Sequence, residues 1–358
     1  NMHMEKKRIG FAGFGGIAQY HFKLYQDCPE AEIAAICDIR PEALELAREK
    51  APGAKLFTDY REMIASGLID AVDICTPNYL HVPIANAALD AGLPFASEKP
   101  LGVSYAETYA LERRAEALGI PTYICFSWRY KKQLRYMKAM IDSGVLGELM
   151  HIYVHSIKDS GLWPGRRLEW RFDKTLAGSG VLCDLGSHML DSVRFFGQEY
   201  ESVYATTGIR VKERRREDSD EMAPVTTDDY ANMIATLKSG IDVTVQVSRN
   251  CKGLSSETVF AVFGSDGFIR YSSSTEEVLE MSVGVDAQRE NCVARRIDPP
   301  EVFEANQSQA FIDVLFGRDN PYTAHLSDGV RAQAVLEAAL RSSEEHRVVT
   351  LDEITEGK

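Results

Sequence analysis

Lys7-Arg8-Ile9-Gly10-Phe11-Ala12-Gly13-Phe14-Gly15-Gly16-Ile17-Ala18 runs a short apolar strand straight into G-x-G-x-x-A. About twenty residues on, a second apolar run, Ile33-Ala34-Ala35-Ile36-Cys37, ends on Asp38. Strand, glycine turn, helix and an acid after the next strand form the dinucleotide-binding fingerprint in its required setting. Gly13 lets the chain turn off the strand, and Gly15 lets a pyrophosphate approach the backbone. Ala18 keeps helix and strand close. The helix opening at Gly16 and Ile17 aims unpaired N–H groups and the positive end of its dipole at the phosphates. Asp38 is placed to accept hydrogen bonds from the adenine ribose, which favours NAD. Arg40 leaves NADP open, because a guanidinium can pair with a 2′-phosphate, but it reads first as a solvated residue at a helix start.

Outward from the fingerprint, strand and helix patterns alternate. Strands are predicted at 7–12, 32–38, 55–58, 71–75, 94–97 and 122–126. Helices include Pro41–Lys50, His81–Ala91 and Tyr105–Leu118. This is the pattern of right-handed crossovers and a parallel sheet. Beyond Trp128 come a helix at Lys131–Ser143 and strands at 149–158, 201–211, 229–237, 241–248, 257–263 and 267–271. Gly240 and Ser265-Asp266-Gly267 serve as tight turns. One helix, Asp184–Phe196, interrupts the strands, and two more, Asn306–Phe316 and Ser327–Ser342, close the chain. The expectation is an α/β Rossmann domain over 6–128 and an α+β domain over 129–358 built on a large, mostly antiparallel, open-faced sheet. The C-terminal helix has the option of packing back on the first domain. The mixed-charge segment Lys212–Asp220 reads as a solvated loop at a strand end.

The 358 residues suffice for two domains with real cores. A net charge of −13 argues against nucleic acid and anionic membranes as partners. No apolar run reaches membrane-spanning length. Seven scattered cysteines without a C-x-x-C pair fit reduced thiols and a cytoplasmic setting, with Cys75 and Cys125 as buried small hydrophobes. His151 and His155 share a strand face but lack a third ligand, so no metal is expected.

Three constellations carry the chemistry. Cys75-Thr76-Pro77-Asn78-Tyr79-Leu80-His81 lies at the carboxyl end of a strand, where ligands of open α/β sheets bind. Thr76, Asn78 and His81 are thereby cofactor candidates, although an Asn/Pro turn capping a helix has the same look. Ser97-Glu98-Lys99-Pro100 ends the next strand. Glu98 and Lys99 reach the same edge, and a lysine beside a nicotinamide can hold a substrate hydroxyl; a surface Glu-Lys pair is the alternative. Third, in Gly180…Asp184-Leu185-Gly186-Ser187-His188…Asp191, a helix from Asp184 puts Asp184, His188 and Asp191 on one face and Leu185, Met189, Val193 and Phe196 on another. Imidazole suits proton transfer near neutrality, and either acid can orient it. The alternative is a capping Asp and a structural His. Trp163, Arg166, Arg167, Trp170 and Arg171 precede this element and suit sugar hydroxyls or an interface.

In this order the elements resemble the glucose–fructose oxidoreductase / inositol dehydrogenase (Gfo/Idh/MocA) family. The resemblance rests on Gly13–Ala18, Thr76-Pro77-Asn78 with His81, Glu98-Lys99-Pro100, Gly144-Val145-Leu146-Gly147 and Gly180…Asp184-x-Gly186-x-His188-x-x-Asp191. It implies a nicotinamide-dependent oxidoreductase for a secondary hydroxyl or keto group of a sugar, inositol or related polyol. By position, Lys99, Asp184 and His188 form the catalytic set. Arg129 of Ser127-Trp128-Arg129-Tyr130 stands near the substrate, with Trp170 and Arg171. The run Ala177-Gly178-Ser179-Gly180 and the bulky Trp128 depart from the family pattern and bear on substrate shape. The same resemblance covers glycosidases and sugar–sugar oxidoreductases that recycle a tightly held NAD, and dinucleotide-sensing regulators without catalysis. The open sheet face is expected to form a homodimer or homotetramer.

Overall fold

The computed structural model describes residues 3–274, 276–318 and 321–357. The chain forms two compact units, Asn1–Ser127 with Ala305–Val330, and Trp128–Glu304 with Arg331–Lys358. The sequence boundary at 128/129 falls beside the first crossover, but residues 305–330 group with the first unit rather than with 129–304.

In the first unit, six parallel strands run β1 (Lys7–Ala12), β2 (Ala31–Cys37), β3 (Lys55–Phe57), β4 (Ala71–Ile74), β5 (Phe95–Glu98) and β6 (Thr122–Cys125). Their order in the sheet is β3-β2-β1-β4-β5-β6. The connecting helices are α1 (Gly16–Tyr25), α2 (Pro41–Lys50), α3 (Tyr60–Ala65), α4 (His81–Asp90) and α5 (Tyr105–Leu118). Local chemistry fixes their ends. Pro41 opens α2, Asp59 and Ser104 cap α3 and α5 by accepting backbone N–H groups, and Gly119 closes α5 at φ +65°. Strands β4 and β5 are buried at every residue, as a sheet covered on both faces requires. Chain order reverses between β1 and β4. The crevice outside their carboxyl ends is the general ligand site of such sheets, and it is there that Gly13 and Thr76 lie.

The second unit carries a nine-stranded sheet. Its strands are β7 (Leu149–Lys158), β8 (Tyr200–Gly208), β11 (Tyr230–Leu237), β12 (Asp242–Ser248), β13 (Ser256–Gly264), β14 (Gly267–Ser272), β15 (Val278–Val283), β16 (Arg295–Ile297) and β17 (Val349–Thr350). They lie in the order β16-β15-β14-β13-β7-β12-β11-β8-β17. Every neighbouring pair is antiparallel except β7 with β12. Along β11 and β12 buried and exposed residues alternate, so one face packs and the other is open. The packed face meets the helical segment that follows residue 180. A Cβ on Gly197 would stand 2.7 Å from Ile152 and 2.8 Å from Leu237, which is why glycine sits where helix and sheet touch. Helices α6 (Lys132–Asp142), α7 (Lys174–Ala177), α8 (Val181–Asp184) and α9 (Gly186–Gly197) belong to this unit. Helix α10 (Gln307–Leu315) belongs to the first, and α11 (Leu326–Glu345) and α12 (Leu351–Thr355) follow.

Two readings are corrected. The strand expected at 201–211 ends at Gly208. The charged stretch 212–220 is not simply a solvated loop. Its residues Glu213–Arg215 form β9, paired antiparallel with β10 (Met222–Pro224), and Arg214 is buried with its guanidinium 4.2 Å over the Phe172 ring. Trp128, half-buried, packs its ring against Phe260 and Tyr271 at centroid distances of 5.3 and 5.9 Å.

Candidate active site

In the first unit, Gly13 leaves β1 at φ +90°. A Cβ there would stand 2.7 Å from the Cys75 carbonyl oxygen and 3.1 Å from the Thr76 nitrogen, so only glycine lets the fingerprint turn lie against the end of β4. Helix α1 begins after Gly15 with no side-chain cap and no acid in its first turn, and a Cβ on Gly16 would meet nothing within 4 Å. Ile17 lies exposed on that first turn. This is an open, electropositive helix start of the kind that receives a phosphate. The Oγ1 of Thr76 beside it is buried with no hydrogen-bond partner among the described atoms. A glycine cradle, an uncapped helix start and an orphaned hydroxyl together fit a dinucleotide.

Asp38 follows β2 and is buried. Its Oδ2 accepts the Phe14 N–H at 2.8 Å and an Arg40 guanidinium N–H at 3.2 Å. Its Oδ1 accepts the Arg40 backbone N–H at 2.9 Å and its Nε–H at 3.2 Å. Burial opposes ionisation, but the bonds from Arg40 and Phe14 outweigh it and hold the carboxyl below its usual range. Arg40 is exposed at the start of α2, as the solvated helix-start reading expects, and it is also paired with Asp38. It lies back on Asp38, and its terminal nitrogen is 3.2 Å from where a Gly15 Cβ would be. A carboxylate offers about four acceptor positions, and four are taken, so a ribose hydroxyl reaches Asp38 only as Arg40 gives way.

Asn78 is buried at the start of a single 3-10 turn that leads into α4. His81 is buried, with Nδ1 2.7 Å from the Pro100 carbonyl oxygen and Nε2 2.8 Å from that of Thr76. It thus links the turn after β4 to the turn after β5. Burial holds the ring below its usual pKa, and in its neutral form it has one proton to share between the two carbonyls. At the end of β5, Glu98 is buried, its Oε2 accepts the Lys99 N–H at 3.2 Å, and the Lys99–Pro100 bond is cis.

In the second unit, the single helix expected from Asp184 to Phe196 is divided. Helix α8 ends at Asp184 and α9 starts at Gly186, while Leu185 keeps helical dihedrals (φ −87°, ψ −38°). The Ser187 hydroxyl donates to the Cys183 carbonyl at this join. Between Ser179 and Val193 only Asp184 and His188 are not buried. A carboxylate and an imidazole thus surface together from an otherwise buried segment. Asp191 does not join them. It is 1% exposed and grips Arg129 through two bonds, Nε to Oδ2 at 2.8 Å and a terminal nitrogen to Oδ1 at 2.7 Å. The Arg129 guanidinium also stacks 5.0 Å over Phe195. The arginine expected beside the substrate is committed to an interior ion pair. Arg171 stacks 4.5 Å over Trp170, both half-buried.

Sequence reasoning missed Asp228. Its carboxylate accepts the Gly180 N–H at 2.7 Å and the Leu182 N–H at 2.8 Å, which caps the start of α8 from a distant part of the chain. Its carbonyl accepts the Val181 N–H at 3.0 Å and an Arg249 N–H at 2.9 Å. A Cβ on Gly180 would collide with that carbonyl oxygen, which explains the glycine. The signal available in sequence was only an Asp-Asp pair before a strand. His151 and His155 each meet a carboxylate on a neighbouring strand, Asp242 and Glu257 respectively, the latter at 2.8 Å.

Residues 7–124 match a family model described as an oxidoreductase family with an NAD-binding Rossmann fold. Residues 134–270 match the GFO/IDH/MocA C-terminal domain. Glucose-6-phosphate 3-dehydrogenase of Bacillus subtilis (strain 168) is 29% identical over 92% of this chain and 95% of its own. Myo-inositol 2-dehydrogenase of Thermotoga maritima is 24% identical over 97% of this chain and 99% of its own. Among solved structures, levoglucosan dehydrogenase with NADH and L-sorbose aligns with a TM-score of 0.89 at 23% identity, covering 98% of this chain and 100% of that one. An oxidoreductase domain protein from Kribbella flavida aligns at 0.88 with 25% identity, covering 97% and 100%.

Proposed function

From the premise that the chain belongs to the GFO/IDH/MocA family of NAD-binding oxidoreductases, we propose that it oxidises a secondary hydroxyl of a sugar or polyol, with Lys99, Asp184 and His188 handling the proton. The relatives named above support the substrate class. The observation that carries the site reading is the joint emergence of Asp184 and His188 from a buried segment, since burial would have cost less with apolar residues there. NAD, when bound, accepts the hydride from the carbinol carbon. His188 takes the hydroxyl proton, and Asp184 orients the ring or the substrate. Lys99 donates a hydrogen bond to the same oxygen and stabilises the charge that develops on it. The backbone N–H groups at Gly15–Ile17, with Thr76 and Asn78, hold the dinucleotide, and Asp38 takes the ribose once Arg40 moves aside. Trp170 and Arg171 offer an aromatic plane and a cation to sugar hydroxyls.

The test is a panel of sugars, inositols and sugar acids with NAD and NADP, read by absorbance of the reduced cofactor. Turnover that releases free NADH is expected on at least one member. Substrate consumption without free NADH would transfer the assignment to a recycling enzyme. No reaction at all with any member would refute the dehydrogenase reading.

The open face of the second sheet is the proposed surface for a homodimer or homotetramer. Tyr153 and Ile234 stand 41% and 60% exposed on it, beside the His151–Asp242 and His155–Glu257 pairs.

A further inference from the structure

The interior of the first unit holds a chain of ionisable groups that none of the steps above employs. His21, on α1, is 1% exposed. Its Nδ1 lies 2.9 Å and 3.0 Å from the two oxygens of Asp73 on β4, and its Nε2 lies 2.7 Å from Oε1 of Glu98 on β5. Tyr25, one turn along α1, donates its hydroxyl to Asp73 at 2.8 Å. The Cys75 sulfur is 3.4 Å from the ring and 3.4 Å from Asp73. Cys125 at the end of β6 and the Gln307 amide of α10 complete the surroundings, with Tyr20 against the ring from α1 itself.

A ring that faces a carboxylate at each nitrogen donates from both, and only the imidazolium has two N–H groups. Two buried carboxylates without a cation between them would be costly. Burial opposes the charged ring, but Asp73 outweighs it and holds the pKa well above the usual histidine value. His21, Asp73 and Cys125 also present ligand atoms within 4.8 Å of one another, the spacing of a small metal site. Both ring nitrogens, however, already sit at hydrogen-bond distance from carboxylates, which selects a proton over a metal ion.

The other oxygen of Glu98 accepts the Lys99 N–H. We propose that His21 is a positioning residue for Lys99: as a doubly donating imidazolium it fixes the Glu98 carboxylate, and through it the backbone that presents the lysine. His81 holds the far side of the same element at the Pro100 carbonyl. The proposal rests on the reading of Lys99 given above, and its test separates the two.

Histidine ring nitrogens are followed by NMR in the 15N-labelled protein from pH 6 to 9, with the His21 signals assigned by their loss in His21→Gln. Both nitrogens are expected to stay protonated through pH 8; a neutral ring at pH 7 would overturn the proposal whether or not any sugar is turned over. Metal analysis of the purified protein is expected to find no bound zinc; zinc lost on Cys125→Ser would also overturn it. His21→Gln is expected to lower kcat by about 10²-fold while NADH affinity by fluorescence stays within about twofold. That loss should vanish in a Lys99→Met background, because the two changes act through one group. A loss of the same size in that background would show that His21 does not work through Lys99. Asp73→Asn, similar in shape, is expected to bring the ring's titration towards neutrality, with kcat falling as pH rises through it; an unshifted titration would count against the pairing. Should Lys99→Met itself turn over like wild type, the catalytic reading falls while the NMR result still decides the state of His21.

Discussion

At the scale of single residues, the most consequential pair is Asp38 and Arg40. With the carboxylate's acceptor positions filled by Arg40 and Phe14, cofactor preference depends on what Arg40 does next. Asp38→Ala is expected to weaken NADH binding by about tenfold, the usual worth of hydrogen bonds to a charged group, and NADPH binding far less, as measured by fluorescence titration. Arg40→Ala is expected to move the ratio of the two affinities towards NADH. Asp38 also contributes to acid stability. Its folded pKa lies below the unfolded value, so the contribution is full above roughly pH 4 and is lost as pH falls through the folded pKa. Urea midpoints of wild type and Asp38→Asn should converge at acid pH and separate near neutrality. Lys99→Met is expected to reduce kcat by roughly 10²–10³-fold, the cost of removing one donor to a developing oxyanion, with NADH still bound. The placement of both lysine and aspartate was legible from the sequence because each directly follows a strand of a recognisable parallel sheet. Arg129 was not. The family resemblance placed it near the substrate by position, and only the fold shows Asp191 turned inward to meet it.

At the scale of elements, α8 and α9 show what a linear pattern can and cannot carry. Their apolar stripe and the Asp184/His188 spacing were readable, and the structure leaves those two residues outside the core. The join at Leu185 was not readable, because the residue itself keeps helical dihedrals. The cap was equally hidden, since Asp228 arrives from across the unit and no local signal marks it. Asp228→Ala leaves two buried N–H groups without partners and is expected to cost about 1–3 kcal/mol for each, read as a lower urea midpoint. Gly180→Ala forces α8 away from the Asp228 carbonyl. It is expected to depress kcat more than NADH affinity, since the cofactor fingerprint lies in the other unit. Short strands such as β16, with two arginines in three residues, and the two-residue β17 are below what alternation can reveal.

At the scale of the whole molecule, the open sheet face makes oligomeric state the accessible measurement. Light scattering is expected to report a dimer or tetramer, and Ile234→Arg, a solvent-facing change with little effect on the subunit's own core, is expected to dissociate it; a wild-type monomer would sink the interface. All seven cysteines are free thiols; burial pushes Cys28 and Cys37 up to about 12, while Cys292 is exposed. Among the described residues no helix is long and apolar enough to cross a membrane. The single parallel pairing in the large sheet has a kinetic meaning as well. Strand β7 ends at Lys158, whereas both strands that flank it, β12 and β13, begin only at Asp242 and Ser256. Hairpins such as β11–β12 and β13–β14 can zip locally, but the centre of the sheet has to wait for a strand made long before its partners. During synthesis the nascent segment 149–158 therefore carries two unpaired edges until residues downstream of 242 have emerged, and that interval is where this chain most needs protection from aggregation.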